Sequence, residues 1–270
     1  MLANPVNQEA LKKEGNDLHN SLKAQLKQGK VALGLILGIG SPEIPYALGD
    51  IGLDWIAFDT QHTILDTQTI AGMIQAMSYS KTVPVVRVRS NDLGLINKAL
   101  DVGAQAVIVP LVNTREDAEK AVRSSKYKSP GLRSYGGRAA IRDHDYVSTA
   151  DTEVMVIPQV ETELALRNIE EIVTTDGIDA VFCGPFDLSM ALGVFREFDS
   201  PVFRKATETI VSTCEAHGVA PGLLAPTGPA ERSIRQGFKL ISLGGDLSIL
   251  TQGVANLLGS ARKATGRPSA

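Results

Sequence analysis

Residues 154–190, VMVIPQVETELALRNIEEIVTTDGIDAVFCGPFDLSM, contain two short apolar runs separated by a helical pattern. The first run, Val154 to Val160, is followed by Glu161, and the second, Ile178 to Cys183, is followed by Gly184. Runs of this length predict buried strands. Two parallel strands joined by a helix place the residues that follow each strand at the same edge of the sheet, which is where ligands bind in α/β folds.

The same alternation of strand and helix extends over most of the chain. Six further apolar runs predict strands, at residues 31–39, 53–58, 83–88, 105–109, 218–224 and 239–243. Eight strand–helix pairs over roughly 230 residues predict a single-domain α/β fold, the (β/α)8 TIM barrel, covering residues 31–270. A doubly wound open sheet is the alternative. Residues 1–30 are polar, with Leu11, Leu18, Leu22 and Leu26 at helical spacing, and predict a peripheral N-terminal helix.

Several helix starts can be assigned from capping residues. Asp66 or Thr67 is predicted to cap the helix after the second strand, Asn91 the helix after the third, and Thr114 the helix after the fourth. One helix is predicted between the two strands of the opening stretch. From Lys128 to Thr152 the pattern lapses, and this Gly-rich, basic stretch is predicted to be a long functional or mobile loop.

The composition excludes several classes of protein. The 27 basic and 30 acidic residues give a formal net charge of −3, which argues against a nucleic-acid partner. The only two cysteines, Cys183 and Cys214, do not form a disulfide or zinc pattern and favour a reducing compartment. No apolar run is long enough for a membrane span and no signal-peptide pattern is present, so a cytoplasmic protein without a membrane partner is expected.

Glu161 and Asp187 are the candidate metal ligands, because each lies just after one of two neighbouring strands. Carboxylate oxygens suit a hard octahedral ion such as Mg²⁺ or Mn²⁺. Spacing alone also permits a simpler interpretation, in which both residues only favour the start of a helix.

Residues 184–187, Gly-Pro-Phe-Asp, form a candidate anion site. Gly184 allows close approach of a ligand, and Pro185 suits the first turn of a helix. The backbone N–H groups of Phe186 and Asp187 would then face a small carboxylate. An ordinary tight turn is the alternative.

Two further side chains are candidates for charge stabilisation and proton transfer. Arg87 follows four apolar residues and needs an anionic partner, either Glu161 or an oxyanion that develops on a substrate. His62 lies three residues after Asp59, so that an acid/base dyad is one interpretation and an ordinary surface histidine the other.

With these residues in place, the chain from about Leu33 to Leu258 resembles the HpcH/HpaI aldolase family of metal-dependent (class II) pyruvate aldolases. The resemblance is carried, in order, by DWIAFDTQH (54–62), PVVR (84–87), DVGAQ (101–105), PGLR (130–133), QVE (159–161) and GPFDLS (184–189). It implies a TIM barrel assembled as a homo-hexamer, a trimer of dimers, whose last helix swaps between neighbouring subunits. The apolar residues of the last predicted helix agree with docking on a neighbour.

The resemblance also implies roles for the candidate residues. Glu161 and Asp187 would bind the divalent ion, Mg²⁺ or Mn²⁺ with Co²⁺ or Zn²⁺ as alternatives, and Arg87 would lie over the keto oxygen of pyruvate. Gln159 would position the substrate, residues 184–187 would hold its carboxylate, and Leu224, at the end of the seventh predicted strand, would complete the substrate site. His62 paired with Asp59 would move protons.

The implied activity is cleavage or formation of 4-hydroxy-2-oxo acids through a pyruvate enolate, which yields pyruvate and an aldehyde. Decarboxylation of oxaloacetate, or a condensation of the macrophomate synthase type, would use the same enolate and is the alternative within enzymes. A non-catalytic barrel is the alternative outside them. Gln61 and the run Thr63 to Asp66 depart from the family pattern, and so does the segment after Arg133, which leaves the aldehyde partner open.

Overall fold

A computed structural model describes residues 19–142, 145–225 and 230–265. In this part of the chain, eight parallel strands form a closed barrel in which each strand pairs with the next and the last pairs with the first. The strands are β1 (Ala32–Leu37), β2 (Trp55–Asp59), β3 (Val83–Arg87), β4 (Ala106–Val109), β5 (Met155–Val160), β6 (Ala180–Cys183), β7 (Ala220–Leu224) and β8 (Leu240–Gly245). The predicted TIM barrel is therefore confirmed.

Helices surround the barrel. They are α1 (Ser21–Lys27), α2 (Glu43–Leu48), α3 (Thr67–Ala76), α4 (Leu93–Asp101), α5 (Arg115–Ser125), α6 (Gly137–Arg142), α7 (Tyr146–Glu153), α8 (Glu163–Arg167), α9 (Ile169–Val173), α10 (Pro185–Ala191), α11 (Pro201–Ala216), α12 (Ala230–Arg235) and α13 (Asp246–Ala264). None of the described helices combines the length and the hydropathy that a transmembrane span requires.

Alternation along the strands divides the core into two layers. In β2, Trp55 and Ala57 face the barrel interior, whereas Ile56 and Phe58 pack against the helices. The interior is filled by Trp55, whose ring meets that of Phe182 edge to face at 6.2 Å. Gly34 makes room for this packing, because a Cβ atom there would lie 2.3 Å from the indole of Trp55.

Helix α1 covers the N-terminal end of the barrel. Its Leu22 and Leu26 join the interior cluster, and Lys23 forms a 2.7 Å ion pair with Asp179. Asn20 accepts a hydrogen bond from the backbone N–H of Lys23 and so caps the helix. Leu11 and Leu18, the other leucines of the predicted N-terminal helix, lie outside the described residues.

Some local predictions hold and others are wrong. Asp66 and Thr114 cap α3 and α5 as predicted, the latter through a capping box with Asp117. The predicted cap at Asn91 is wrong: Asp92 accepts from the N–H of Leu95, while the Asn91 amide donates to the carbonyl of Asp117.

The stretch from Lys128 to Thr152 is not one long loop. It contains α6 and most of α7, whose few apolar positions are too sparse to give a periodic signal. The single helix predicted between β5 and β6 is two short helices, α8 and α9, which meet at Asn168.

Candidate functional site

The predicted site residues lie together at the C-terminal end of the barrel. A cavity of about 270 Å³ lies there. It is lined by His62, Arg87, Gln159, Phe182, Gly184, Pro185, Phe186, Asp187 and Leu224. All of these except Phe182 were singled out from the sequence, and they come from the ends of five different strands. A larger cavity of about 550 Å³ lies near the opposite end of β3 and contains none of them.

Glu161 lies behind the cavity, where it is only 2% exposed. Its Oε1 accepts a 2.8 Å hydrogen bond from the backbone N–H of Leu111, and its Oε2 accepts one from Nε2 of Gln159. Gly184 lies directly against this pair, because a Cβ atom there would be 2.9 Å from Oε2 of Glu161 and 3.0 Å from Nε2 of Gln159. The adjacent strands β5 and β6 thus bring these three residues into contact.

The surroundings of Glu161 act on the pKa of its carboxyl in both directions. Burial raises the pKa of the Glu161 carboxyl above its ordinary value, and the negative charge of Asp187 adds to the increase. Hydrogen bonds from Leu111 and Gln159, together with the charge of Arg87, act in the opposite direction. Two carboxylates that repel each other beside a cavity are a suitable arrangement for a divalent cation.

The donor set fits a hard divalent ion. Glu161 and Asp187 supply carboxylate oxygens, and Oε1 of the buried Gln159 side chain has no hydrogen-bond partner among the described residues. No cluster of three or more His, Cys, Asp or Glu side chains suited to a metal occurs in the described ranges. An ion held here would therefore rely on two carboxylates plus an amide oxygen, water or substrate, which is the usual environment of Mg²⁺.

Leu111 reaches Glu161 from an unfavourable backbone conformation. Its φ angle is +54°, in the left-handed region that non-glycine residues rarely adopt. The side chain is 57% exposed, so its burial does not compensate for the backbone strain. Strain of this kind persists where surrounding structure demands it, and here it coincides with the hydrogen bond to Glu161.

Arg87 and Asp59 form an ion pair at the ends of β3 and β2. Nε of Arg87 donates to Oδ1 of Asp59 at 2.9 Å, and Nη2 donates to Oδ2 at 2.7 Å. Of the two partners predicted for Arg87, Glu161 is wrong, because its side-chain partner is Asp59; the substrate oxyanion stays a prediction. Because the two residues are register neighbours, the pair needs no long side-chain reach. The Nη1 group of Arg87 is not used by Asp59.

His62 lines the cavity but is not oriented by Asp59 as predicted. From this loop the carboxylate of Asp59 accepts the backbone N–H of Gln61, at 3.0 Å, and that of His62, at 3.4 Å, but no hydrogen bond from the His62 ring. The His62 side chain is exposed. The Asp59 carboxylate therefore shapes the loop that carries His62, while its side-chain partner is Arg87.

The other wall of the cavity is the start of α10. Gly184 is the N-cap residue, without a side-chain hydrogen bond, and Pro185 is the first helical residue. The first N–H groups of a helix have no partner within the helix, so those of Phe186 and Asp187 are available to a ligand. Asp187 itself is exposed on this turn.

Two contributions to the site were not predicted. Leu111 follows Pro110, just after the end of β4, and contributes its backbone N–H. Every residue except proline has this group, so the sequence does not single out Leu111. Phe182 was assigned to the core of β6, and it does pack on Trp55, but it also lines the cavity. Its position two residues before the Gly184-Pro185 turn could have indicated this.

Comparison with known proteins adds an independent observation. The profile of the HpcH/HpaI aldolase/citrate lyase family matches residues 34–252. A 4-hydroxy-2-oxo-heptane-1,7-dioate aldolase of Shigella sonnei is 34% identical over 241 residues, which are 87% of this chain and 92% of the relative. A 5-keto-4-deoxy-D-glucarate aldolase of Escherichia coli O6:H1 is 32% identical over 249 residues, 90% of this chain and 97% of the relative.

A similar solved structure is an HpcH/HpaI aldolase/citrate lyase family protein from Burkholderia cenocepacia. It has a TM-score of 0.85 and 34% sequence identity, and the alignment covers 90% of this chain and 99% of that one.

Proposed function

The chain belongs to the HpcH/HpaI aldolase/citrate lyase family and is an aldolase-type carbon–carbon lyase, and from this premise we propose that Glu161, Asp187, Arg87 and His62 carry its chemistry. The reaction is cleavage or formation of a 4-hydroxy-2-oxo acid, with pyruvate enolate and an aldehyde as the two halves. One observation supports the assignment. Gln159 and Gly184, which line the cavity, are in contact with the buried Glu161 behind it. Arg87, His62 and Asp187 line the same cavity.

We propose that Glu161 and Asp187 hold a divalent cation, Mg²⁺ or Mn²⁺, with Gln159 beside it. When bound, such an ion supplies Lewis-acid stabilisation to the carboxylate and keto oxygens of the 2-oxo acid. The protein's part is to keep the two carboxylates in place. The hydrogen bonds to Glu161 from Leu111 and Gln159 leave it little rotational freedom.

The anion site at the start of α10 would hold the substrate carboxylate. The N–H groups of Phe186 and Asp187 point out of the helix end, and the helix dipole adds a favourable charge. Gly184 has no side chain, which lets the substrate approach the backbone next to Glu161. Leu224, half-buried at the end of β7, supplies an apolar wall of the same cavity.

Arg87 would stabilise the negative charge that develops on the keto oxygen as the C3–C4 bond breaks. Asp59 holds its guanidinium by two hydrogen bonds, so the group is oriented before the substrate arrives. Preorganised donors of this kind lower the barrier because they need not reorganise during the reaction. The Nη1 group, which Asp59 does not use, is the donor we assign to the substrate.

His62 would accept the proton of the C4 hydroxyl during cleavage and return it during condensation. It is an exposed imidazole that lines the cavity. Its backbone N–H and that of Gln61 are both bonded to Asp59, which places the loop next to Arg87. Histidine suits this role because its ordinary pKa lies near neutral pH.

We also propose that the protein is a homo-oligomer, a hexamer in which α13 packs on a neighbouring subunit. Helix α13 has no buried side chain among its 19 residues. It exposes six large apolar side chains, Leu247, Ile249, Leu250, Val254, Leu257 and Leu258. Such a surface needs a partner.

The free, buried cysteines Cys183 and Cys214 support a reducing compartment, which we take to be the cytoplasm.

The proposed function is tested by following pyruvate release from a set of 4-hydroxy-2-oxo acids, with and without a chelator. We expect release that requires added Mg²⁺ or Mn²⁺ and is abolished in the Arg87→Ala protein. Oxaloacetate is supplied in parallel: decarboxylation without cleavage of any hydroxy-oxo acid would replace the aldolase assignment by the decarboxylase alternative.

A further inference from the structure

Arg196, on the segment between α10 and α11, has an unusual backbone. Its φ angle is +63°, and it is the only non-glycine residue besides Leu111 with a left-handed conformation in the described part of the chain. This conformation is unfavourable for a residue with a Cβ atom. Arg196 is exposed, so its burial does not compensate for that cost.

A buried hydroxyl fixes the segment in this position. The backbone N–H of Arg196 donates to Oγ of Ser189 at 3.1 Å, and the same hydroxyl donates to the carbonyl of Phe186 at 2.9 Å. Ser189 is fully buried. The strained residue is therefore bound to α10 through Ser189, whose hydroxyl in turn bonds to Phe186 in the turn that borders the cavity.

The guanidinium of Arg196 lies over a side chain of the cavity wall. Its Cζ is 5.9 Å from the ring centroid of Phe186, within the range of a cation–π contact. Phe198 meets the same ring edge to face at 5.4 Å, which fixes the ring's orientation. Among the residues that the structure describes, no carboxylate forms an ion pair with Arg196, whereas Arg87 is already paired with Asp59.

From these contacts we propose that Arg196 binds a carboxylate on the aldehyde half of the substrate, at the rim of the cavity. The inference rests on the proposed aldolase function. Glu161 and Gln159 are buried beneath the cavity and mark where the 2-oxo acid half reacts. Arg196 is exposed and lies over the ring of the cavity-lining Phe186 without lining the cavity itself, so it can reach only the part of the substrate that extends towards solvent. Arg196 then selects aldehydes that carry a carboxylate at the other end of the molecule (ω-oxo acids) over neutral aldehydes.

The test is condensation of pyruvate with ω-oxo acids of three to five carbons, each compared with a neutral aldehyde of the same chain length. The variants are Arg196→Gln and Arg196→Gly, with Arg204→Gln on α11 as the matched control. In the wild type we expect lower KM values for the acids. Both Arg196 variants should raise KM for the acids by about fivefold to tenfold. KM for the neutral aldehydes, and kcat for both classes of substrate, should be nearly unchanged.

A second readout separates recognition from a merely structural role. Arg196→Gly removes the backbone strain, so we expect it to be as stable as the wild type or more stable although it recognises acids poorly. The dependence of KM on salt should also weaken in both variants. Equal losses for acidic and neutral aldehydes, or no change for either, would overturn the assignment of Arg196. Absence of any condensation by the wild type would instead contradict the proposed function.

Discussion

Asp59 and Arg87 are the last residues of neighbouring strands, and the two nitrogens Nε and Nη2 of the arginine donate to the two oxygens of the aspartate at 2.9 and 2.7 Å. Both side chains are nearly buried, at 6% and 12% exposure. Loss of one partner would leave the other charge uncompensated. We therefore expect the pair to stabilise this end of the barrel and to hold the guanidinium where it lines the cavity.

A double-mutant cycle with Asp59→Asn and Arg87→Gln measures this relationship. We expect each single variant to lose stability, and the two residues to be coupled by about 1.5–3 kcal/mol, the range for hydrogen bonds to charged groups. Urea unfolding of the four proteins gives the coupling. A value near zero would show that the pair does not act as a unit.

Leu111 should tolerate only residues that accept a left-handed backbone. Leu111→Gly and Leu111→Asn keep the N–H and favour the observed φ of +54°, so we expect them to bind Mn²⁺ like the wild type. Leu111→Ile disfavours that conformation and should weaken Mn²⁺ binding about threefold to tenfold. Calorimetric titration of the metal-free proteins measures the affinities. Leu132→Ile, at another exposed leucine, is the control. Equal affinities across the series would refute a positioning role for the Leu111 amide.

Gly184→Ala should disturb the metal site more than the fold. The backbone of Gly184, at φ −87° and ψ 92°, is accessible to alanine, but the new Cβ would lie 2.9 Å from Oε2 of Glu161. We expect metal affinity to fall about tenfold or more because the carboxylate must move, while the unfolding midpoint changes little. Gly72→Ala on α3, where a Cβ would be 3.8 Å from its nearest neighbour, should leave metal affinity unchanged.

Lys126 gives the protein a stability that depends on pH. Its Nζ donates to the carbonyls of Asp151 and Val154, both at 2.8 Å, and burial lowers its pKa from 10.5 to about 8. Between these values the unfolded chain binds more protons than the folded protein, so this residue's contribution to stability rises with pH across the window and is lost as pH falls through about 8.

The measurement is urea unfolding of the wild type and Lys126→Met at about pH 7.5 and about pH 10. We expect the free energy of unfolding of the wild type, relative to that of Lys126→Met, to be larger at the higher pH. The exposed Lys98 on α4, changed to Met, should show no such movement. A difference that is constant with pH would contradict the lowered pKa.

Much of the fold follows from short-range pattern. The apolar runs of β5 and β6 and the polar residues after them are visible in the sequence, because strands buried on both faces must be apolar and ligand-binding residues must follow them. Helices α6 and α7 were not predicted, because they are short and have too few apolar residues to show helical periodicity. Asn91 and Asp92 are both residues that commonly cap helices. Which of them is the N-cap depends on the residue at which α4 begins, and this is Leu93, directly after Asp92.

The site was predicted as a set of residues but not as a set of contacts. His62 and Asp59 are three residues apart, and that proximity suggested a dyad. The partner of Asp59 is instead Arg87, 28 residues later, because the barrel register sets β2 beside β3. The contribution of Leu111 is a backbone group in an uncommon conformation, which side-chain identity does not encode.

Titration of Mn²⁺ into the metal-free protein measures whether Glu161 and Asp187 jointly bind one divalent cation. The variants are Glu161→Gln and Asp187→Asn, with Glu163→Gln, an exposed carboxylate on α8, as the control. We predict one ion per chain for the wild type and the control, and a loss of affinity of about a hundredfold in each of the other two. Wild-type affinity in either Glu161→Gln or Asp187→Asn would show that the two carboxylates do not share a metal ion.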